Sequence, residues 1–134
     1  MALILVIDDE KMMRDVLRDT LEGVGHRVVE AEDGEQGLLQ YYLNSPDALI
    51  TDILMPNKGG LHVISEVKRM NPQAKIIAMS GGGRDGKLNF LSTAKTYPGV
   101  ISLTKPCPRK EFLNALEQLL DNRDNAAHRA RLAQ

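Results

Sequence analysis

Four short apolar runs each lead into a polar or charged group, and this repeated pattern constrains the chain more than any other feature. Leu3-Ile4-Leu5-Val6-Ile7 runs into Asp8-Asp9, and Ala48-Leu49-Ile50-Thr51 runs into Asp52. Ile76-Ile77-Ala78-Met79 ends on Ser80, and Val100-Ile101-Ser102-Leu103-Thr104 ends on Lys105-Pro106. Runs of this length and composition read as strands buried on both faces. Between them the apolar spacing turns helical. Met13, Val16, Leu17, Leu21 and Val24 line up on a helix that Gly23 and Gly25 stop. Val28-Val29-Glu30-Ala31 forms a short strand, and Asp33-Gly34 turns the chain into a helix over 36–43 that ends at Asn44-Ser45-Pro46. After a loop from Met55 to Gly60, the residues Leu61, Ile64 and Val67 mark a third helix, closed by Asn71-Pro72. A glycine-rich loop and a weak helical pattern near 87–96 follow the strand at 75–80. The last helix, over 109–121, carries Phe112, Leu113, Leu116 and Leu120 on one face.

Five strands alternating with five helices predict an α/β fold, a parallel sheet covered on both faces, because each crossover must be right-handed. Parallel strands bring their carboxyl ends to one edge, and ligands bind beyond that edge in such sheets. Here the edge would gather Asp8, Asp9, Asp52, Ser80 and Lys105. Adjacent carboxylates repel unless a cation or a basic group lies between them. Three carboxylates, one hydroxyl and one amine therefore suit a divalent cation and a phosphoryl group. The plainer reading of the aspartates is that each caps the helix that follows it, but capping does not require three at one edge. Ser80 as a turn serine and Lys105 as a solvated lysine are the corresponding plain readings of the other two.

A chain of 134 residues, 43% of them hydrophobic, can bury one core without disulfides or a structural metal. The expected organisation is one domain over 1–121, with 122–134 as a helical extension or tail. A net charge of -1 offers no basic field for nucleic acid. The single Cys107 excludes an intrachain disulfide and fits a reducing compartment; it reads as a small packed residue rather than a redox sensor. No apolar stretch approaches a membrane span, and Met1-Ala2-Leu3 enters a strand with no basic leader before it. These features predict a cytoplasmic domain with no nucleic-acid partner and no membrane association. His26, His62 and His128 show no metal-ligand spacing and read as surface or helix residues.

Several motifs occur together and in order: Val6-Ile7-Asp8-Asp9-Glu10, Ala31-Glu32-Asp33-Gly34, Asp52-Ile53-Leu54-Met55-Pro56 with Gly60, Met79-Ser80-Gly81, and Lys105-Pro106. With these motifs the chain resembles, over about residues 3–120, the receiver domain of two-component response regulators, of the stand-alone CheY-like kind. The resemblance implies a doubly wound, flavodoxin-like sheet of strand order 2-1-3-4-5 with five helices. It implies that Asp52 accepts a phosphoryl group from the phosphohistidine of a sensor histidine kinase or a histidine phosphotransfer protein. It further implies that Mg²⁺ is held by Asp8, Asp9, Asp52 and the Leu54 backbone carbonyl, with Asp9 as the direct ligand of the acidic pair and Asp8 acting through water. Ser80 and Lys105 would each engage a phosphoryl oxygen, with the Lys105–Pro106 peptide cis. Such a chain is a switch that supports its own phosphorylation and slow dephosphorylation rather than an enzyme, and it passes its state to a downstream protein target. Homodimerisation stays open.

Two positions depart from the family pattern. Ser102 stands where most receivers carry an aromatic residue three positions before the lysine, and Cys107 stands where phenylalanine commonly follows the Lys-Pro pair. The usual aromatic relay is missing or replaced, so Ser80 and the glycine-rich loop are expected to carry the switch. Leu54 and Gly82, two positions after Asp52 and Ser80, occupy the places that flank the phosphoryl group and tune its hydrolysis in the family. Gly81 and Gly86-Lys87 also match the spacing of a Walker A loop, but Leu88 replaces the hydroxyl residue that would hold Mg²⁺. Two other functions compete. An aspartyl-phosphate hydrolase needs a second aspartate at position 54, which is leucine here. A phosphorylation-independent interaction module would have no use for the intact acidic set.

Overall fold

The computed structural model describes residues 1–55, 59–81 and 97–121. Five strands, β1 (Leu3–Ile7), β2 (Arg27–Ala31), β3 (Ala48–Asp52), β4 (Ile76–Ser80) and β5 (Val100–Thr104), form one sheet in the order β2-β1-β3-β4-β5. Every neighbouring pair is parallel. The order reverses beside β1, so the crevice at the carboxyl ends of β1 and β3 is the switch point at which such sheets bind ligands. The expected strand order is met. Four helices are described: α1 (Lys11–Gly23), α2 (Gly34–Asn44), α3 (Gly60–Met70) and α4 (Arg109–Leu120). The helix expected near 87–96, most of the glycine-rich loop and the tail from 122 lie outside the described residues.

Alternation along the strands divides the core in two. Ile4 and Val6 of β1 join Ile50, Ile77, Leu17, Leu21, Phe112 and Leu116 under α1 and α4. Leu5 and Ile7 point the other way and join Leu49, Ile76, Val63, Ile64 and Val67 under α3 and α2. Both layers are dry, which is why β1, β3 and β4 read as unbroken apolar runs rather than alternating ones. On α1 the core face differs from the expectation. Val16 and Val24 are 58% and 47% exposed, and Thr20 is buried in their stead beside Leu17 and Leu21. Apolar spacing alone sets the face to within about one residue, and the 3.6-residue turn places 17, 20 and 21 together. Asp33 caps α2, its Oδ1 accepting the Gln36 N–H at 2.8 Å.

The amino edge of the sheet is tied by side chains that bond to backbone. Lys68, near the end of α3, is buried, and its ammonium donates to the carbonyls of Pro72 at 3.3 Å, Ala74 at 2.7 Å and Pro98. Burial holds its pKa below the ordinary lysine value. Gly99 beside it has φ +77, and a Cβ there would stand 3.3 Å from the Lys68 Nζ, so glycine suits the position on both counts. His26 is a second tie. It sits half-buried before β2, and its Nδ1 accepts the Ala2 N–H at 3.0 Å. This corrects its expected place among surface residues, because one ring nitrogen is committed to holding the start of β1. His62 is exposed on α3 as expected.

Candidate functional site

β1 ends at Ile7, so Asp8 is the first residue past the strand, and Asp52 is the last residue of its neighbour β3. The register sets Ile7 against Thr51, which brings the two aspartates to the same level beyond the sheet. Asp8 and Asp52 are 2% and 8% exposed, whereas Asp9 is exposed. One carboxylate oxygen from each of Asp8, Asp9 and Asp52 lies within 4.8 Å of the others. Lys105 follows β5 directly and reaches back across the edge. Its Nζ lies 3.1 Å from Asp8 Oδ2 and 3.4 Å from Asp52 Oδ2. The Lys105–Pro106 peptide is cis. The backbone N–H of Lys105 donates to the Ser80 carbonyl at 2.6 Å. Ser80 ends β4 and is 1% exposed. It lies one step beyond Met79, the partner of Asp52 in the ladder. Leu54 follows at the end of the β3 segment with its side chain 44% exposed. The structure therefore brings Asp8, Asp9, Asp52 and Lys105 into one cluster, with Ser80 on the adjoining strand end.

Each aspartate is differently committed. Asp8 closes a turn ahead of α1, its Oδ1 accepting the Glu10 N–H at 2.9 Å, while Oδ2 faces Lys105. The capping reading does not hold for Asp8, because the N-cap of α1 is Glu10, which makes no side-chain cap bond. Asp9 presents its carboxylate to solvent, and among the described residues it draws no hydrogen bond. Burial pushes the Asp52 carboxyl above its ordinary pKa; Lys105 works against this, and the charges of Asp8 and Asp9 add to it. Burial would lower the Lys105 ammonium, but Asp52 and Asp8 outweigh it and the net shift is upward. Among the described residues one ammonium stands among three carboxylates, which leaves a surplus of negative charge in a partly dry place. The all-oxygen set fits a hard divalent cation rather than a softer metal.

Sequence reasoning missed how the backbone under Asp52 is held. Gly60, the first residue of α3, packs against the chain just past β3. A Cβ there would lie 2.2 Å from the Asp52 carbonyl oxygen and 2.6 Å from the Ile53 Cα. The Gly60 N–H donates to the Ile53 carbonyl at 2.8 Å, and the Ile53 N–H to the Met79 carbonyl at 2.9 Å. Thr51 Oγ1 donates to the Asp52 carbonyl at 3.0 Å. Gly60 belongs to a motif visible in the sequence, but the contact that demands glycine is not local. Ser102, at the place of the family's aromatic, pairs with Ala78 in the ladder. Its buried hydroxyl has no hydrogen-bond partner among the described residues. Gly82, the position that would face Leu54 across the site, lies outside them.

Comparison with known proteins agrees with this geometry. Residues 4–117 match the response regulator receiver domain family. The chain is 40% identical to the chemotaxis protein CheY of Bacillus subtilis over 119 residues, which span 88% of this chain and 97% of that protein. It is 32% identical to the CheY of Halobacterium salinarum over 117 residues, 87% of this chain and 95% of that one. The crystal structure of a response regulator receiver domain protein from Clostridium thermocellum superposes with a TM-score of 0.82 at 28% identity, covering 100% of both chains. The strand-end acids, the lysine that joins two of them and the 2-1-3-4-5 sheet accordingly place this chain in the response regulator receiver domain family, as a CheY-like signalling module.

Proposed function

We propose that the chain is a phosphorylation switch in which Asp52 receives a phosphoryl group from a histidine kinase or a histidine phosphotransfer protein. In the transfer, a carboxylate oxygen of Asp52 forms a bond to phosphorus as the bond from phosphorus to the donor imidazole nitrogen breaks. The electron pair of that bond leaves with the imidazole, and the product is an acyl phosphate. No oxidant, reductant or further group is consumed.

The observation that carries this reading is the unbalanced charge around Asp52. Its carboxylate lies at the end of β3 with Lys105 at 3.4 Å, and Asp8 and Asp9 oxygens lie within 4.8 Å. A carboxylate attacks an anionic phosphoryl group only where the combined charge is neutralised. Lys105 supplies one positive charge and is already shared with Asp8. Mg²⁺ bound to Asp8, Asp9, Asp52 and the Leu54 carbonyl would supply the remainder. Asp9 is the freer ligand, because both Asp8 oxygens have partners within the protein; Asp8 would then act through water. Ser80 ends the strand that adjoins β3, one step beyond the partner of Asp52, and its hydroxyl would follow the added oxygens. The phosphoryl group brings about -1.5 to -2 of charge to the edge. A shift of Ser80 would be passed to the segment after β4 and so to a surface recognised by a downstream protein.

The test is intact mass after incubation with Mg²⁺ and a small-molecule phosphodonor, with Asp52→Asn in parallel. One added phosphoryl group in the wild type alone, abolished by EDTA, is expected. A folded wild-type protein that stays unmodified with a working donor would favour a receiver that acts by binding alone.

A further inference from the structure

Arg14 sits one turn into α1 and is largely buried, at 13% side-chain exposure, although it is a cation on a helix that faces solvent on one side. Its guanidinium makes two contacts in different directions. Nε donates to Glu30 Oε1 on β2 at 3.0 Å, and Nη1 donates to the backbone carbonyl of Asp8 at 2.7 Å. Glu30 is fixed in turn. Its other oxygen accepts from Arg18 Nε at 2.5 Å, and Arg18 also bonds Glu22 and the Val28 carbonyl. Burial alone would raise the Glu30 carboxyl, yet the two guanidiniums hold it below the ordinary carboxylate range. Glu30 is therefore ionised and presents a fixed acceptor to Arg14.

The consequence falls on the peptide joining Asp8 to Asp9. The Asp8 N–H donates to the Ala31 carbonyl at 3.2 Å, its side chain bridges the Glu10 N–H and Lys105, and its carbonyl is taken by Arg14. Asp9 has no such bonds among the described residues, so the direction of its carboxylate follows from the peptide before it. We propose that Arg14, braced by Glu30, is a positioning residue for the acidic pair, holding the Asp8–Asp9 peptide so that the Asp9 carboxylate stands with Asp8 and Asp52 at one cation position. The inference rests on the reading of these three aspartates as the Mg²⁺ ligands. Its sign is distinctive. A guanidinium bonded to the Asp8 carbonyl is a positive charge close to a cation site, and Coulomb repulsion alone makes such a charge weaken cation binding. Positioning acts in the opposite sense, because an outer residue that orients a ligand strengthens metal binding.

Mg²⁺ titrated by calorimetry into the unphosphorylated full chain separates the two effects, using the wild type, Arg14→Met and Arg14→Lys. Positioning predicts that Arg14→Met weakens Mg²⁺ binding about 10-fold despite the lost positive charge, and that Arg14→Lys recovers part of the loss, because its ammonium lacks the fork that meets Glu30 and the Asp8 carbonyl together. In phosphorylation with a small donor, Arg14→Met should need more Mg²⁺ to reach half its maximal rate, while the maximal rate at saturating Mg²⁺ is retained. Mg²⁺ binding that is unchanged or tighter in a folded Arg14→Met, with only thermal stability reduced, would overturn the proposal and leave Arg14 as a helix-to-strand bolt. Should Arg14→Met fail to fold, Arg14→Lys decides: affinity equal to the wild type overturns it. A wild type that binds no Mg²⁺ would instead overturn the metal reading, and this inference with it.

Discussion

At the amino edge of the sheet Lys68 buries its ammonium among three backbone carbonyls, whereas at the carboxyl edge Lys105 divides its ammonium between two carboxylates with a third close by. Both lysines are largely dry, yet their surroundings differ in kind. At Lys68 the amino edge sets one charge against neutral dipoles that are fixed by the fold, and the ammonium meets three acceptors. Nothing further is needed to complete it. Among the described residues the carboxyl edge sets one positive charge against three negative ones, and burial together with Asp8 and Asp9 pushes the Asp52 carboxyl upward. A buried group that is fully bonded stabilises a fold, and one that lacks compensation costs stability until a ligand arrives. The first edge holds the fold together; the second is built around charge that the described residues alone do not neutralise.

The largest expected effect comes from breaking the complete edge. Lys68→Met keeps the volume of the stem and strips three carbonyls of their donor, which should cost about 2–3 kcal/mol. Urea unfolding would register it. Phosphoryl uptake per folded molecule should be unchanged, because Lys68 lies at the opposite end of the strands from Asp52. Loss of uptake in a folded variant would mean that the two edges are coupled and would end the contrast.

Next comes completion of the other edge. A cation that binds only the folded state stabilises by mass action, and at ten times its dissociation constant the gain is about 1.4 kcal/mol. Mg²⁺ should therefore raise the thermal midpoint of the wild type, and Na⁺ at equal ionic strength should not. A smaller gain, about 1 kcal/mol, is expected when the uncompensated charge is removed by Asp52→Asn in the absence of Mg²⁺. The folded-state pKa of Asp52 is raised, so the folded protein holds that proton more tightly than the unfolded chain does. The cost of ionisation is thus fully present above the raised value and disappears as pH falls through it towards about 3.9. The advantage of Asp52→Asn should shrink over that window. Denaturant midpoints measured for both proteins from pH 7 to 4 would show it, and a stability loss in Asp52→Asn at neutral pH would contradict it.

The strands themselves and the membership of the carboxyl edge were legible because both follow from local signals: apolar runs long enough to be buried on both faces, and the residue that ends each run; the strand order came only with the family resemblance. The amino edge was not legible. Lys68 stands in Glu66-Val67-Lys68-Arg69, where two charged neighbours make it look like any solvated helix residue. Its partners are backbone carbonyls, which carry no residue identity, and one of them is 30 positions away at Pro98. Arg14 and the close packing at Gly60 escaped for a similar reason, since each involves main chain distant in sequence or out of local register. On α1 the exposure of Val16 and the burial of Thr20 show the limit of reading a face from apolar residues alone. Contacts between residues far apart in the chain, whether to main chain or to a charge such as the Glu30 that Arg14 meets, leave no local pattern to read.

The smallest effect tests the second tie of the amino edge. His26 accepts the Ala2 N–H through Nδ1, so the folded state needs a neutral ring with its proton on Nε2. Burial lowers its pKa, the terminal ammonium adds to this, and Asp47 opposes both. With the folded value below the unfolded one of about 6.5, the unfolded chain takes up a proton that the folded ring resists. Stability is then constant with respect to this group well above pH 6.5 and declines as pH falls from there through the lowered folded value. A half-exposed ring with one neutral hydrogen bond sets the scale at a few tenths of a kcal/mol. Thermal midpoints of the wild type and His26→Gln between pH 8 and 5 should converge at the acid end, since glutamine offers no proton site and lacks that slope. Parallel curves would show that the ring titrates alike in the folded and unfolded chain, so that the bond to Ala2 adds no stability and even the complete edge retains a group able to change its charge without consequence.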